Sequence, residues 1–359
     1  MLTRRPGEGR MYYRRPLHNL SGVYRPLPTQ RFLMMTMGGF WPVIQNLHNG
    51  HLGVVTRDGD FHIGERGRLV FVYSPDGGES WSHAAVISGE GSDNRNPAFG
   101  VTSSGTLLVS FIAQVNYTDG VYDTGDRVPT PLYLARSDDH GQTWTTELAR
   151  VEGRDEFPVS SPYGKMLTRA DGGIMMHYYA DGGSHLITSS DDGRTWGRPA
   201  AIAGGGYNET GLCDLGEGRF LAVLRDDREG ALSVSRSTDD AVTWSEPVRL
   251  TEAREHPGDV IKLADGRLLL TFGRRTTPCG VFGLVSHDDG ASWDTNHRLF
   301  LVADVGRDLG YPSNIQRQDG AIVTVYYADQ LVLSEPRAAT IGIHGAAVIY
   351  RAEDLPVMR

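Results

Sequence analysis

The sequence predicts an all-β fold: a six-bladed β-propeller of four-stranded antiparallel blades, closed by strands from both ends of the chain. Two independent repeats predict it, and a turn-rich composition agrees with them. The octapeptide SSDDGRTW (189–196) returns as SPDGGESW (74–81), SDDHGQTW (137–144), STDDAVTW (237–244) and SHDDGASW (286–293), so five of the six tryptophans occupy one position of one motif. Its aspartates, Asp76, Asp139, Asp191, Asp239 and Asp288, are 63, 52, 48 and 49 residues apart, about the length of one four-stranded blade. A turn glycine followed by an apolar run recurs six times, at 49–55, 104–111, 171–179, 217–224, 265–272 and 319–327. The 45 glycines and 18 prolines supply the turns such a fold needs.

Each copy of the octapeptide reads Ser-x-Asp-x-Gly-x-x-Trp, with Ala241 in place of glycine in the fourth. The Asp is expected to accept backbone N–H bonds inside the turn, the Gly to take a positive φ, and the Trp to pack back onto its blade. The six apolar runs count six blades, and the last lacks the octapeptide; the segment SEPRAATIGIHGAAVIY is expected to take over there. Ring closure falls to residues 19–38 and 344–351. Residues 114–131, polar and rich in Gly and Pro, read as a loop over one face. With no linker or composition shift, residues 1–359 read as a single propeller domain.

Composition narrows the function. A net charge of −9 offers no general attraction to nucleic acid, and the basic N-terminal stretch is short and interrupted. Cys213 and Cys279 lack metal or redox spacing and are expected to be buried free thiols. No metal-ligand constellation stands out, and no cofactor is expected. No apolar run approaches the ~18 residues of a membrane span. The start MLTRRPGEGRMYY lacks the apolar core of a signal peptide, so the chain as given reads as cytoplasmic, or as secreted or periplasmic if a leader was trimmed.

In a propeller the innermost strands begin around a central funnel, and the ends of the second strands converge on the same face. The inner-strand starts are Phe40-Trp41-Pro42, Arg95-Asn96-Pro97, Ser161-Pro162-Tyr163, Asn208-Glu209-Thr210, His256-Pro257-Gly258-Asp259 and Tyr311-Pro312-Ser313. The second-strand ends add Arg57-Asp58-Gly59-Asp60, Gln114, Tyr178-Tyr179, Arg225-Asp226-Asp227, Arg274-Arg275 and Tyr327. Several arginines facing one cavity cost desolvation unless an anion or fixed carboxylates compensate them. A ligand carrying a carboxylate fits, and the competing expectation is that these charges pair with one another at blade junctions.

These residues resemble the sialidase (neuraminidase) superfamily, whose six-bladed propellers carry Asp boxes, or BNR repeats, of this form; the resemblance covers about residues 40–330. NETGLCDLGEGRFLAVLRD (208–226) is similar to the family segment pairing a Glu with a carboxylate-binding Arg sixteen residues on, which maps onto Glu209 and Arg225. GYPSNIQRQDGAIVTVYY (310–327) is similar to the segment opening on the catalytic Tyr, hence Tyr311. LLLTFGRR matches the placement of another triad Arg, either Arg274 or Arg275. TRDGDFH (56–62) resembles the stretch with a substrate-binding Arg and the acid/base Asp, hence Arg57 and Asp60, with Asp58 as rival and His62 beside them. The family's Arg-Ile-Pro at the first inner strand is here Phe40-Trp41-Pro42, and Arg95 of the second blade is the substitute within reach.

The resemblance implies an exo-glycosidase that hydrolyses a terminal acidic sugar, sialic acid or a related carboxylated sugar, with no nucleic-acid or membrane partner. Tyr311 would attack the anomeric carbon while Glu209 takes its proton, and Asp60 would serve as acid and then base. Arg57, Arg95, Arg225 and Arg274 or Arg275 would hold the substrate. Two other readings use the same scaffold: a uronate-directed lyase with His62, His177 or His256 removing a proton, and a glycan-binding propeller without catalysis. An arabinan-directed exo-glycosidase would have little use for paired arginines.

Overall fold

Every blade of a propeller is sandwiched between two others, so its middle strands bury both faces and read as continuous apolar runs instead of alternating ones. Leu268–Arg274 and Ala321–Ala328 are buried at every position, whereas the outer strand Thr145–Leu148 is exposed throughout. The computed structural model describes residues 2–4, 11–13, 24–89, 92–123, 130–153, 160–180, 182–303, 306–329, 331–333 and 339–356. They form six antiparallel blades in a ring. From the centre outward, blade 1 is Phe40–Asn46, Leu52–Asp58, Arg68–Ser74 and Ala85–Ser88. Blade 2 is Asp93–Val101, Leu107–Gln114, Leu132–Ser137 and Thr145–Leu148. Blade 4 is Tyr207–Gly216, Arg219–Asp226, Ala231–Ser237 and Val248–Arg249, and blade 5 is Glu255–Lys262, Leu268–Arg274, Gly280–Ser286 and Arg298–Val302. The second strands of all six blades fall where the six apolar runs predict them.

Blade 3 departs from the pattern. Its inner edge is split: Ser160–Pro162 and Leu167–Thr168 both pair with Ile174–Ala180, while Gly164–Lys165 between them pairs in parallel with the inner strand of blade 2. Gly183–Ser189 and Ala200–Ala203 complete it. Blade 6 closes the ring: Leu309–Gln316, Ala321–Ala328 and His344–Arg351 come from the C-terminal part, and Gln30–Thr36 adds the outer strand in antiparallel register from His344↔Thr36 to Ile349↔Gln30. The 114–131 segment carries a short hairpin, Tyr117–Thr118 with Val121–Tyr122, and residues 124–129 lie outside the described ones.

The octapeptides close as expected and use one more group than the sequence suggests. In SSDDGRTW the Ser189 hydroxyl accepts from the Gly193 N–H (2.9 Å) and donates to Asp191 Oδ1 (2.7 Å); Asp191 in turn takes the N–H (2.9 Å) and hydroxyl (2.6 Å) of Thr195. The residue before each Trp, Ser80, Thr143, Thr195, Thr243 or Ser292, makes the same bidentate contact. Its hydroxyl was legible in all five copies. Ala241 takes φ 63°, the left-handed conformation that glycine holds in the other copies.

Each Trp seals the apolar seam between its own blade and the preceding one. Trp81 joins Ile44, Val54 and Val72 of blade 1 to Phe32, Val323 and Ile349 of blade 6. Trp144, Trp196, Trp244 and Trp293 do the same at the next four junctions. The junction of blades 5 and 6 has no Trp. There a 3-10 turn, Ala352–Asp354, follows the third strand and buries Leu355 in the seam, while Arg267 donates to the carbonyls of Ala352 (2.7 Å) and Pro356 (3.2 Å). This tail stands in the seam where the other junctions have their box, just past the expected segment 334–350, of which residues 334–338 lie outside the described ones. Cys213 is buried and Cys279 only partly so; both are free thiols. Among the described residues no helix is long and apolar enough to cross a membrane.

Acid should destabilise this fold in two stages. Burial lowers His177 to about 3 and His256 to about 2, so both stay neutral in the folded chain while the unfolded chain gains protons below about 6.5. Stability is therefore lost as pH falls from there. A second loss follows below about pH 4, because Asp139 and Asp239, through the Thr143 and Thr243 hydroxyls, and Asp191, where Thr195 outweighs burial, are held down to about 2. Urea unfolding followed from pH 7 downward checks this, and a flat profile to pH 4 contradicts it.

Candidate active site

One backbone device sets the site residues in place. In five blades the inner strand carries a bulge in which two residues oppose one of the second strand. The register skips 41–42, 96–97, 209–210, 256–257 and 311–312. The first residue of each pair is Trp41, Asn96, Glu209, His256 and Tyr311. Three of them are left-handed, Trp41 (φ 51°), Asn96 (φ 51°) and Tyr311 (φ 49°), a conformation costly for large side chains that persists where the surroundings enforce it. Each is followed by proline, so the signal was in the sequence as a recurring X-Pro.

Four of the five bulges, all but that of blade 5, line a cavity of about 440 Å³ bounded by Trp41, Arg95, Asn96, Glu209 and Tyr311, with His62, Tyr122, Tyr179 and Asp227 around its walls. Its floor is aromatic: Phe40, Trp41, Tyr163, Tyr311 and Tyr327 pack as one cluster. On that floor Tyr311 Oη donates to Glu209 Oε1 at 2.5 Å, and Arg225 Nη1 donates to Glu209 Oε2 at 2.5 Å. Burial first, then the Glu209 charge, pushes the Tyr311 phenol well above its ordinary range, against the pull of Arg225 and Arg275. It is a neutral phenol whose proton points at a carboxylate. Arg275 lies with its guanidinium carbon 5.7 Å from the Tyr311 ring centre and donates Nε to the Leu309 carbonyl at 3.1 Å.

The second wall is built by blade 2 and its hairpin. Arg95 pairs with Asp93, donates to Tyr117 Oη at 2.6 Å and stacks on Tyr122 at 5.1 Å. Burial and Asp93 raise the Tyr117 phenol to about 12. Asn96 donates to Ser161 Oγ (2.7 Å) and Tyr179 Oη (2.8 Å), which holds the bulge against blade 3. On the opposite side His62 Nδ1 lies 3.1 Å from both oxygens of Asp308, and Tyr327 Oη donates to Asp308 Oδ1 at 2.6 Å.

The remaining sequence candidates are elsewhere. Arg57 is fully buried and spent on Asp93 (2.6 Å) and on carbonyls of the 60–64 loop, including Gly64 at 3.0 Å. Asp58 pairs with Arg68 at 2.7 Å. Asp60 accepts the N–H groups of Phe61 (2.9 Å) and Arg66 (3.1 Å); burial raises its pKa, but these bonds outweigh it and hold the carboxyl low. Arg274 turns into the junction with blade 5's outer strand, where it and Arg298 share Glu255. Of the two arginines in LLLTFGRR, it is therefore Arg275 that accompanies Tyr311. Asp93, Tyr117, Tyr122 and Asp308 were not foreseen; the run Arg307-Asp308-Leu309-Gly310 just before Tyr311 was the available hint for the last.

Among the described residues no group of His, Cys, Asp or Glu is placed to hold a metal ion. A family model described as BNR repeat-like domain matches residues 86–324. Among solved structures, a protein of unknown function from Dyadobacter fermentans superposes with a TM-score of 0.72 at 21% identity, over 89% of this chain and 98% of the other. A Hadza microbial sialidase gives 0.71 at 21% identity, over 89% and 67%. The intramolecular trans-sialidase from Ruminococcus gnavus, in complex with oseltamivir carboxylate, gives 0.68 at 15% identity, over 90% and 96%. No curated protein matches the chain in sequence.

Proposed function

Because this chain belongs to the BNR repeat-like domain family, with the sialidase type of propeller, we propose that its cavity is the active site of an exo-glycosidase hydrolysing a terminal sugar with a carboxylate at the anomeric carbon. The observation that carries this reading is the buried trio Tyr311, Glu209 and Arg225, with both contacts to Glu209 at 2.5 Å. A phenol is a poor nucleophile unless a base takes its proton, and here one carboxylate oxygen is in place to do so. Two like charges ~4 Å apart repel by about 4 kcal/mol at an effective dielectric near 20, so a neutral phenol suits a substrate that is anionic beside its reacting carbon. Tyrosine nucleophiles are the known exception to the two-carboxylate rule.

In the first step the Tyr311 oxygen bonds to the anomeric carbon as the glycosidic C–O bond breaks, and its proton passes to Glu209. In the second, water attacks that carbon and Tyr311 leaves, recovering its proton. Arg225 and Arg275 flank the nucleophile, each with a buried nitrogen, Nε and Nη2 respectively, that has no acceptor among the described residues. Arg95, which borders the cavity, supplies the cationic contact a substrate carboxylate takes, and Arg225 and Arg275 add positive charge behind the cavity wall. Trp41, where the family's first arginine would stand, offers the sugar ring an apolar face instead.

The test is a matched set of aryl glycosides: carboxylated ketoses, their methyl esters and neutral sugars. Hydrolysis confined to the free acids is the expected result. Turnover of neutral sugars, or ultraviolet absorbance of an unsaturated uronide in place of hydrolysis, overturns the reading.

A further inference from the structure

Resting on that glycosidase reading, we infer that His62, held by Asp308, is the proton donor to the leaving oxygen and the base for the incoming water. Asp60, the acidic residue of the same loop, has its carboxylate bound to the Phe61 and Arg66 N–H groups and does not border the cavity. His62 does border it. Its ring stands edge-on to Trp41 at 5.2 Å, and Trp41 lies 6.2 Å from Tyr311, so imidazole and phenol flank the same indole. Asp308 takes Nδ1–H at 3.1 Å and is itself fixed by Tyr327 at 2.6 Å, an arrangement that orients the ring and leaves Nε2 to carry the transferable proton. Burial would raise the Asp308 carboxyl, but the His62 bond and charge outweigh it, which keeps an anion beside the ring. His62 comes from blade 1 and Asp308 from the loop entering blade 6, so the pair exists only in the closed ring.

The steps balance. Protonated His62 gives Nε2–H to the glycosidic oxygen as Tyr311 bonds to the anomeric carbon. Neutral His62 then removes a proton from water as water displaces Tyr311, and the proton on Glu209 returns to the phenol.

The experiment compares His62→Gln and Asp60→Asn on two substrates of one carboxylated sugar, an aryl glycoside with an acidic leaving group and an alkyl or sugar-linked glycoside. Loss of a general acid falls on the poor leaving group, so H62Q should lower kcat/KM by about 10² to 10³-fold on the alkyl-linked substrate and by less than about tenfold on the aryl one. D60N should affect both alike. Equal loss from H62Q on both substrates, or the leaving-group-dependent loss appearing in D60N instead, overturns the assignment while leaving the glycosidase reading standing. A wild-type protein inert toward both overturns that reading, and the role of His62 with it. His62 is half-exposed and its Gln replacement can still bond Asp308, so the variant is expected to fold, with melting temperature as the check.

Discussion

Tyr311→Phe is expected to lower kcat by about 10³-fold or more on any carboxylated glycoside the wild type hydrolyses, with KM little changed. The substitution deletes one oxygen at the floor of the cavity and nothing else. The ring keeps its contacts with Trp41, Tyr163 and Tyr327, and Glu209 keeps its bond to Arg225, so the buried carboxylate is not left without a partner. The loss of one hydrogen bond to a charged group costs about 1.5–3 kcal/mol, which a propeller of this size tolerates as a drop of a few degrees in melting temperature. Glu209→Gln should be as inactive, for a different reason: the amide can accept the phenol hydrogen bond yet cannot take the proton. Steady-state kinetics with thermal melting of both variants separates these effects. A Y311F protein retaining a tenth of wild-type turnover would remove Tyr311 from the chemistry.

Trp196→Ala carries the largest expected effect on stability. Its indole is 2% exposed in the seam of blades 2 and 3, among Leu108, Leu134, Ile174 and Met176. Truncating a buried Trp removes the transfer energy of the ring and leaves a cavity that strands on both sides cannot collapse to fill, about 3–5 kcal/mol. Its backbone bonds, from Trp196 N–H to the Arg150 carbonyl and from Glu152 N–H to the Trp196 carbonyl, both 2.8 Å, do not depend on the side chain. Trp144 and Trp244 are only partly buried and donate to their own turns, at 3.1 and 3.2 Å, so their Ala variants should lose less. Denaturant unfolding of the three variants checks the order, and activity per folded molecule should stay at the wild-type level. A Trp144 variant less stable than the Trp196 variant would mean that the seams do not act as described.

Blade number, the six second strands and the turn mechanics were legible because each is a local pattern written five or six times. The family segments that keep their spacing single out Tyr311 and Glu209, and the fold brings the two into contact at 2.5 Å. What failed to show was partnership between strands, within a blade or across two. Arg57 and Arg274 look from sequence like their solvent-facing counterparts, and only the fold brings Asp93 and Glu255 against them. A buried arginine demands such a partner, but the identity of an acid tens of residues away leaves no periodic trace. Asp308 was missed for the same reason: its meaning depends on His62, 246 positions earlier.

The strand Gln30–Thr36 has a consequence for how the molecule comes to exist. The other five blades pair their four main strands close in sequence, and each such set can form as it emerges from the ribosome; blade 5 alone adds an early strand, Tyr24–Pro26, in parallel along the edge of Arg298–Val302. The sixth pairs residues about 300 apart, so one of the first strands made waits, with its edge open, for one of the last. Loop closure over that span costs only slightly more entropy than over a third of it, so the delay is kinetic more than energetic. Tyr311, Glu209 and the His62–Asp308 pair come from blades 6, 4, 1 and 6, and they meet only when the ring shuts. A nascent or truncated chain missing either partner of that final pairing can own five sound blades and still lack the proposed catalytic centre.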